Sequence, residues 1–266
     1  MKAMIQPYFL EEIGAGGIAR ITFVRGDRHN AFNDAFIAEL TTALRGLESD
    51  ARVRAVVFAA EGKSFSAGAD LKWMRAMAAY GEAENLADAQ ALAELMRTLD
   101  CFSKPTLALV QGPAYGGGVG LVACCDIAVA SEAANFTLSE VRLGLLPAVI
   151  SPYVVAAIGA RAARRYCITA ERISVWEAQR LGLVHEVVAP SDLEACGRRL
   201  VDAILSGGPK AQSESKALIA KVVGRPIDDA LIEETARSIA RIRVSPEGQE
   251  GLAAFFEKRP AAWVPE

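Results

Sequence analysis

Histidine is almost missing from this chain. Its 266 residues include two, His29 and His185, with no metal-ligand spacing between them. His29 sits in a turn before a helix and His185 in an apolar strand, so both read as structural. No metal is expected. The five cysteines, Cys101, Cys124, Cys125, Cys167 and Cys196, form an odd set without CxxC, which argues against a disulfide framework or a zinc site and for a reducing compartment. No apolar run is long enough to span a bilayer. The opening MKAMIQPYFLEEI lacks the long apolar stretch of a secretory leader. The cytoplasm is therefore the expected location, and no membrane partner is expected. There is no basic arm or stripe, and net charge is −3 with basic residues spread along the chain, so no nucleic-acid partner is expected. GxSxG, HExxH and the Walker loop are all absent.

What is present is core material: 52 % hydrophobic and 23 % charged residues, in a length that suits one large domain or one domain with an appendage. YFLEEIGAGGIARITFV reads as two short strands around a glycine turn, and FNDAFIAELTTALRGLES as a helix with Phe36, Leu40, Leu44 and Leu47 on one face. VRAVVFAA, PTLALVQG, CDIAVAS and ANFTLSE read as strands, and ENLADAQALAELMRTLDCF as a long helix. This alternation predicts an α/β core over residues 1–190. Beyond it, residues 191–206, 209–223, 227–243 and 246–257 are helical in period, with breaks at Gly207-Gly208-Pro209, Gly224-Arg225-Pro226 and Ser245-Pro246. Residues 191–266 are thus expected to form a C-terminal helical region whose apolar faces need a partner surface.

Two strings fail as motifs. Gly14-Ala15-Gly16-Gly17-Ile18-Ala19 matches a dinucleotide-binding pattern, but the residues after it alternate like a strand, so a hairpin turn is expected. Ser213-Glu214-Ser215-Lys216 fits SxxK but lies in a polar helical stretch, and is expected to be a solvated face.

The informative segment is AYGGGVGLVACCD, where three glycines separate a strand from an apolar helix. Alone it fits tight strand-to-helix packing. It also fits a corner whose unpaired helix-start N–H groups face an anion, either a phosphate or a carbonyl oxygen that becomes an oxyanion. SFSAGADLKWM is a second corner of small residues, with Asp70 placed to cap the helix it opens. Two such corners can each supply one N–H to the same oxygen.

SFSAGADL, then VQGPAYGGGVGLVACCDIAVAS, then FTLSEVRLGLLP, and EGLAAFFEKRPAAW at the end, occur in order across almost the whole chain. The sequence resembles the crotonase family, the enoyl-CoA hydratases and isomerases. The resemblance implies a crotonase-type spiral β/α core with a C-terminal helical oligomerisation region. It implies an acyl-CoA thioester as substrate partner and no cofactor, since coenzyme A belongs to the substrate. The enolate donors fall on Ala69 and Gly117, flanked by Gly68 and Gly116, and Ala67 matches the carbonyl that contacts adenine. Lys72 and Lys258 match basic positions near the CoA phosphates, with Arg28 a weaker candidate; Pro147 and Phe256 complete the binding residues. Lys258 is placed to act on a neighbouring subunit in a trimer or a dimer of trimers.

Hydratases of the family with two acid/base glutamates place one in the SE segment, here Glu140, and one where this chain has Gly120. The plain alternative for Glu140 is an ion pair with Arg142. The missing carboxylate leaves three readings: hydration of a 2-enoyl-CoA, isomerisation of an enoyl-CoA by one glutamate, or non-catalytic acyl-CoA binding. Gly120 is expected to leave room for a water in the site. GADLKWM, VRLGLLPAVISPYVVAAIGARAARRY and TAERI resemble methylglutaconyl-CoA hydratase-type members, which act on branched enoyl-CoAs in leucine or terpenoid breakdown. The Pro147–Ile150 segment is expected to reshape the acyl pocket.

Overall fold

The computed structural model describes residues 7–265; the first part of the segment read for a leader, residues 1–6, lies outside them. β1 (Phe9–Ile13) turns through Gly14–Gly17 into β2 (Ile18–Phe23), antiparallel, with Glu12 opposite Arg20. The dinucleotide-like string is therefore a hairpin turn, as expected. α1 (Asp34–Ser49) crosses to β3 (Ala55–Ala60), and α2 (Leu71–Met77) and α3 (Glu82–Asp100) precede β4 (Thr106–Val110). β5 (Ala114–Tyr115) and α4 (Gly117–Cys124) precede β6 (Ile127–Ser131) and β7 (Asn135–Thr137). α5 (Ser151–Thr169), β8 (Ile173–Ser174), α6 (Val175–Leu181) and β9 (Glu186–Val188) complete the alternating part, followed by α7 (Leu193–Ser206), α8 (Pro209–Val222), α9 (Asp229–Arg243) and α10 (Pro246–Glu257).

The main sheet runs β1-β2-β3-β4-β6-β9 and is parallel from β2 onward; β5, β7 and β8 form a second, three-stranded sheet. β3 and β4 are buried on both faces, which is why they read as continuous apolar runs. One face packs Val56, Phe58, Ala108 and Val110 under α1, whose Phe36, Leu40, Leu44 and Leu47 are all buried as the periodicity predicted.

The other face packs Val57, Leu107, Leu109 and Val129 against Leu193 and Cys196 of α7. This corrects the boundary drawn at residue 191: α7 closes the core, and the appendage begins after it. Gly197 allows the close approach, because an added Cβ would lie 2.9 Å from Leu109 Cδ1. Lys216 is a second correction. It is not on a solvated face: its Nζ meets Asp126 Oδ2 at 2.9 Å with only 21 % of the side chain exposed. Asp126 also accepts from the Thr106 amide and hydroxyl. One ion pair thus ties α8 to the starts of β4 and β6. His185 lies in a bend just before β9 rather than within a strand, and its Nδ1 accepts from Ala128 N–H. The cysteines are all free. Among the described residues no helix is long and apolar enough to cross a membrane.

Candidate active site

The chain leaves β3 through Ser64–Asp70 and β4 through Gly112–Gly117, and the two exits are stitched together. Tyr115 N–H donates to Ser66 O at 2.9 Å and Phe65 N–H to Pro113 O at 3.0 Å. The Ser66 hydroxyl donates to Asn30 O and accepts from Gly68 N–H. Glycine is required at the junction. Gly68 has φ +77 and an added Cβ would sit 2.8 Å from Tyr115 O; Gly116 has φ +49, backbone that side-chain-bearing residues rarely adopt. At Gly117 a Cβ would press on the Phe32 ring, 2.8 Å from its Cε2. Phe32 in turn holds the other corner: its N–H donates to Gly68 O and its carbonyl accepts from Asp70 N–H. Asp70 caps α2, accepting from the Lys72 and Trp73 amides, as expected. Ala69 N–H and Gly117 N–H are left without an acceptor among the described residues, and Gly117 starts a helix whose dipole favours negative charge there.

Glu140 opens a short 3-10 turn over Glu140–Leu143. Its Oε1 lies 3.0 Å from where a Cβ on Gly116 would be, one residue before the Gly117 donor. Its Oε2 is buried without a partner. The alternative pairing with Arg142 does not form, because Arg142 Nη2 donates to Ala170 O at 2.7 Å. Burial pushes the Glu140 carboxyl above the ordinary carboxylate range, with a hydrogen bond to its own backbone acting the other way. A carboxyl whose folded pKa is raised stabilises the fold below its unfolded pKa, and that stability is lost as pH rises through the folded value. Glu140→Gln is therefore expected to melt higher than the wild type at pH 7, with the gap closing below pH ~4, where the wild-type carboxyl is protonated in both states. Thermal melts of both proteins across that range check this; a gap that persists at acid pH would show that charge burial is not its cause.

These groups wall a largely apolar cavity of about 330 Å³. It brings together Ala67, Gly68, Ala69, Gly116, Gly117, Glu140 and Pro147, seven of the residues singled out in the sequence. Ala148, Val149 and Ile150 join Pro147 along one wall. Lys72, Phe256 and Lys258 do not line it. Lys72 is on the exposed side of α2, Phe256 is 75 % exposed on α10, and Lys258 ends that helix with φ +56. Arg28 is also at the surface, 3.9 Å from Asp27.

Gly120 is corrected outright. It is buried, is not among the lining residues, and opens no room for water. A Cβ there would collide with Ile150 Cγ2 and stand 3.0 Å from Ile150 Cβ. Ile150, whose face toward the cavity closes the wall, fills the place of the absent side chain.

Sequence reasoning missed the α3 wall. Asn85, Asp88, Ala89 and Leu92 line the cavity at the i, i+3, i+4, i+7 spacing of one helical face. That small and polar stripe in ENLADAQAL was the available signal. Trp73, Met74 and Met77 of α2 line it as well.

Two N–H groups without acceptors and a carboxyl with one buried oxygen line the same apolar pocket, an arrangement that can polarise a carbonyl and move a proton next to it. The enoyl-CoA hydratase/isomerase family model matches residues 14–265. The chain belongs to that family, and its fold is the crotonase fold. A solved enoyl-CoA hydratase structure from Shewanella pealeana is 47 % identical, with a TM-score of 0.93 over 97 % of this chain and 96 % of that one. The short-chain-enoyl-CoA hydratase of Clostridium acetobutylicum is 32 % identical over 92 % of this chain and 93 % of its own length. The crotonyl-CoA hydratase of Syntrophomonas wolfei is 33 % identical over 88 % and 90 %.

Proposed function

We propose that this protein hydrates a 2-enoyl-CoA, adding water across the double bond conjugated to the thioester. The observation that carries the reading is the buried Glu140 carboxyl beside the unpaired Ala69 and Gly117 N–H groups. The thioester oxygen accepts both hydrogen bonds. As water's oxygen bonds to C3 and gives up one proton to a second base, the π electrons move toward the thioester, and the oxygen charge is held by the two donors and the start of α4. Glu140 then gives its proton to C2; its raised pKa keeps that proton available nearer neutral pH than an ordinary carboxyl would.

The acyl group is a branched, glutaconyl-type chain, as in leucine breakdown. Pro147–Ile150 support this by lining the acyl space, and the buried, unpartnered Trp73 Nε1–H supplies a donor for a second carboxylate. Incubation with methylglutaconyl-CoA and with crotonyl-CoA, following loss of the conjugated enoyl absorbance, tests both levels. Turnover of neither sinks the hydratase reading; preference for crotonyl-CoA sinks the branched one. One observation favours a second reading. Ile150 closes the corner at Gly120, so a single glutamate at the family positions can shuttle a proton between C2 and C4. Formation of a 2-enoyl-CoA from a 3-enoyl-CoA, without hydration, would support that isomerase.

The chain assembles as a homo-oligomer, a trimer or a pair of trimers. Ile232, Ile239, Leu252, Phe255 and Phe256 are 41–76 % exposed on α9 and α10, more apolar surface than a solvated appendage normally presents. Light scattering at low micromolar concentration is expected to give a mass of three or six chains. A fully active monomer would contradict this, and with it the placing of Phe256 and Lys258 at a neighbour's CoA site.

A further inference from the structure

We propose that Asp88 is the second carboxylate of this site, taking the proton of the attacking water from the α3 wall. The proposal rests on the hydratase reading above. It starts from a deficit: hydration needs one group that takes a proton from water and one that delivers a proton to C2, and the corner at Gly120 is filled by Ile150.

The cavity contains two carboxylates, Glu140 and Asp88, and they come from different walls. Each side chain is only partly buried, but one oxygen of each is shut off from water. Asp88 Oδ2 is buried without a hydrogen-bond partner, as is Glu140 Oε2, and neither side chain is in an ion pair. A buried carboxylate oxygen without a donor is costly, and the sequence around Asp88 does nothing to relieve it. Asn85, one turn earlier on the same face, spends its amide on the Tyr80 and Gly81 carbonyls. An acceptor kept unpaired at a cavity wall fits a group whose partner arrives with the substrate. A water held by Asp88 supplies that donor.

Position divides the two roles. Glu140 lies against Gly116, one residue from the Gly117 donor, and so next to the carbon attached to the thioester carbonyl. Asp88, on a separate wall, is left for C3. Ionised Asp88 takes one water proton as the oxygen bonds to C3. The C2=C3 pair moves to form the enolate, and protonated Glu140 gives its proton to C2. The cycle ends with Asp88 protonated and Glu140 ionised, and exchange with solvent restores both.

The test separates the two carboxylates. Hydration uses both, whereas exchange of the α-protons of a saturated acyl-CoA in D2O uses only Glu140 and the oxyanion donors. Asp88→Asn changes neither size nor shape. It is expected to lower kcat for hydration about 10²-fold or more, on whichever enoyl-CoA the wild type turns over fastest. Its α-exchange rate, read by mass spectrometry with butyryl-CoA, should stay within about 2-fold of wild type. Glu140→Gln should lose both activities. Hydration by Asp88→Asn at the wild-type rate would overturn the proposal, and so would a parallel loss of hydration and exchange, which marks a structural role. Failure of the wild type to hydrate any enoyl-CoA refutes the underlying hydratase reading instead, a distinct result.

Discussion

Glu140→Gln is expected to cut kcat by about 10²–10⁴-fold while leaving the affinity for CoA esters nearly unchanged, the size typical of losing a positioned acid or base. Gln keeps the shape of the side chain and can occupy the space beside Gly116, but it carries no exchangeable acidic proton. The donors at Ala69 and Gly117 belong to the backbone and are held by Gly68, Gly116 and Phe32, so the substitution leaves ester binding in place. Steady-state kinetics with the preferred enoyl-CoA, together with calorimetric binding of a saturated acyl-CoA, measure the two effects separately. Turnover within a few-fold of wild type would remove Glu140 from the chemistry and with it the mechanism argued above.

The second large effect is on stability. Gly120→Glu is expected to leave the protein unfolded or insoluble, because the new Cβ meets the Ile150 side chain and Met96 Cε within the core. Overpacking of this kind costs about 1–3 kcal/mol, and a buried carboxylate without a partner adds more. A total beyond about 4 kcal/mol is in the exceptional range for a single substitution. Ile150→Ala removes Cγ2 together with Cγ1 and Cδ1, so the double variant Gly120→Glu/Ile150→Ala is expected to recover much of the loss. The two positions should therefore be strongly coupled in a double-mutant cycle read by thermal or urea unfolding. A stably folded Gly120→Glu single variant with wild-type kinetics would mean that Ile150 does not occupy that space.

The relation between Gly120 and Ile150 shows where sequence reading stops. The glycine was visible as a departure from a two-carboxylate pattern, and room for water was the natural inference. A missing side chain leaves space only if nothing else moves in, and the residue that moves in is thirty positions away, on the segment before α5. Asp88 failed to register for a related reason. In the sequence it is one polar residue of a long helix, and only the folded chain places that face of α3 in one cavity with the two corners. The Lys216 reading went wrong in the same way, since its partner Asp126 is ninety residues distant.

By itself the sequence determined the local features. Apolar periodicity of 2 and 3.6 residues marks the strands and helices, because one face of each must be buried whatever it packs against. The Gly-rich corners were legible because positive φ and close backbone approach admit few other residues. Asp70 as a cap and the breaks between the C-terminal helices follow from equally local chemistry. Tertiary structure alone decided what those elements enclose: that α7 belongs to the core, that Ile150 stands in for the side chain Gly120 lacks, and that Asp88 and Trp73 face the same cavity as Glu140. Those facts depend on contacts between residues far apart in the chain, and no local propensity encodes the distance between two side chains that meet only after folding.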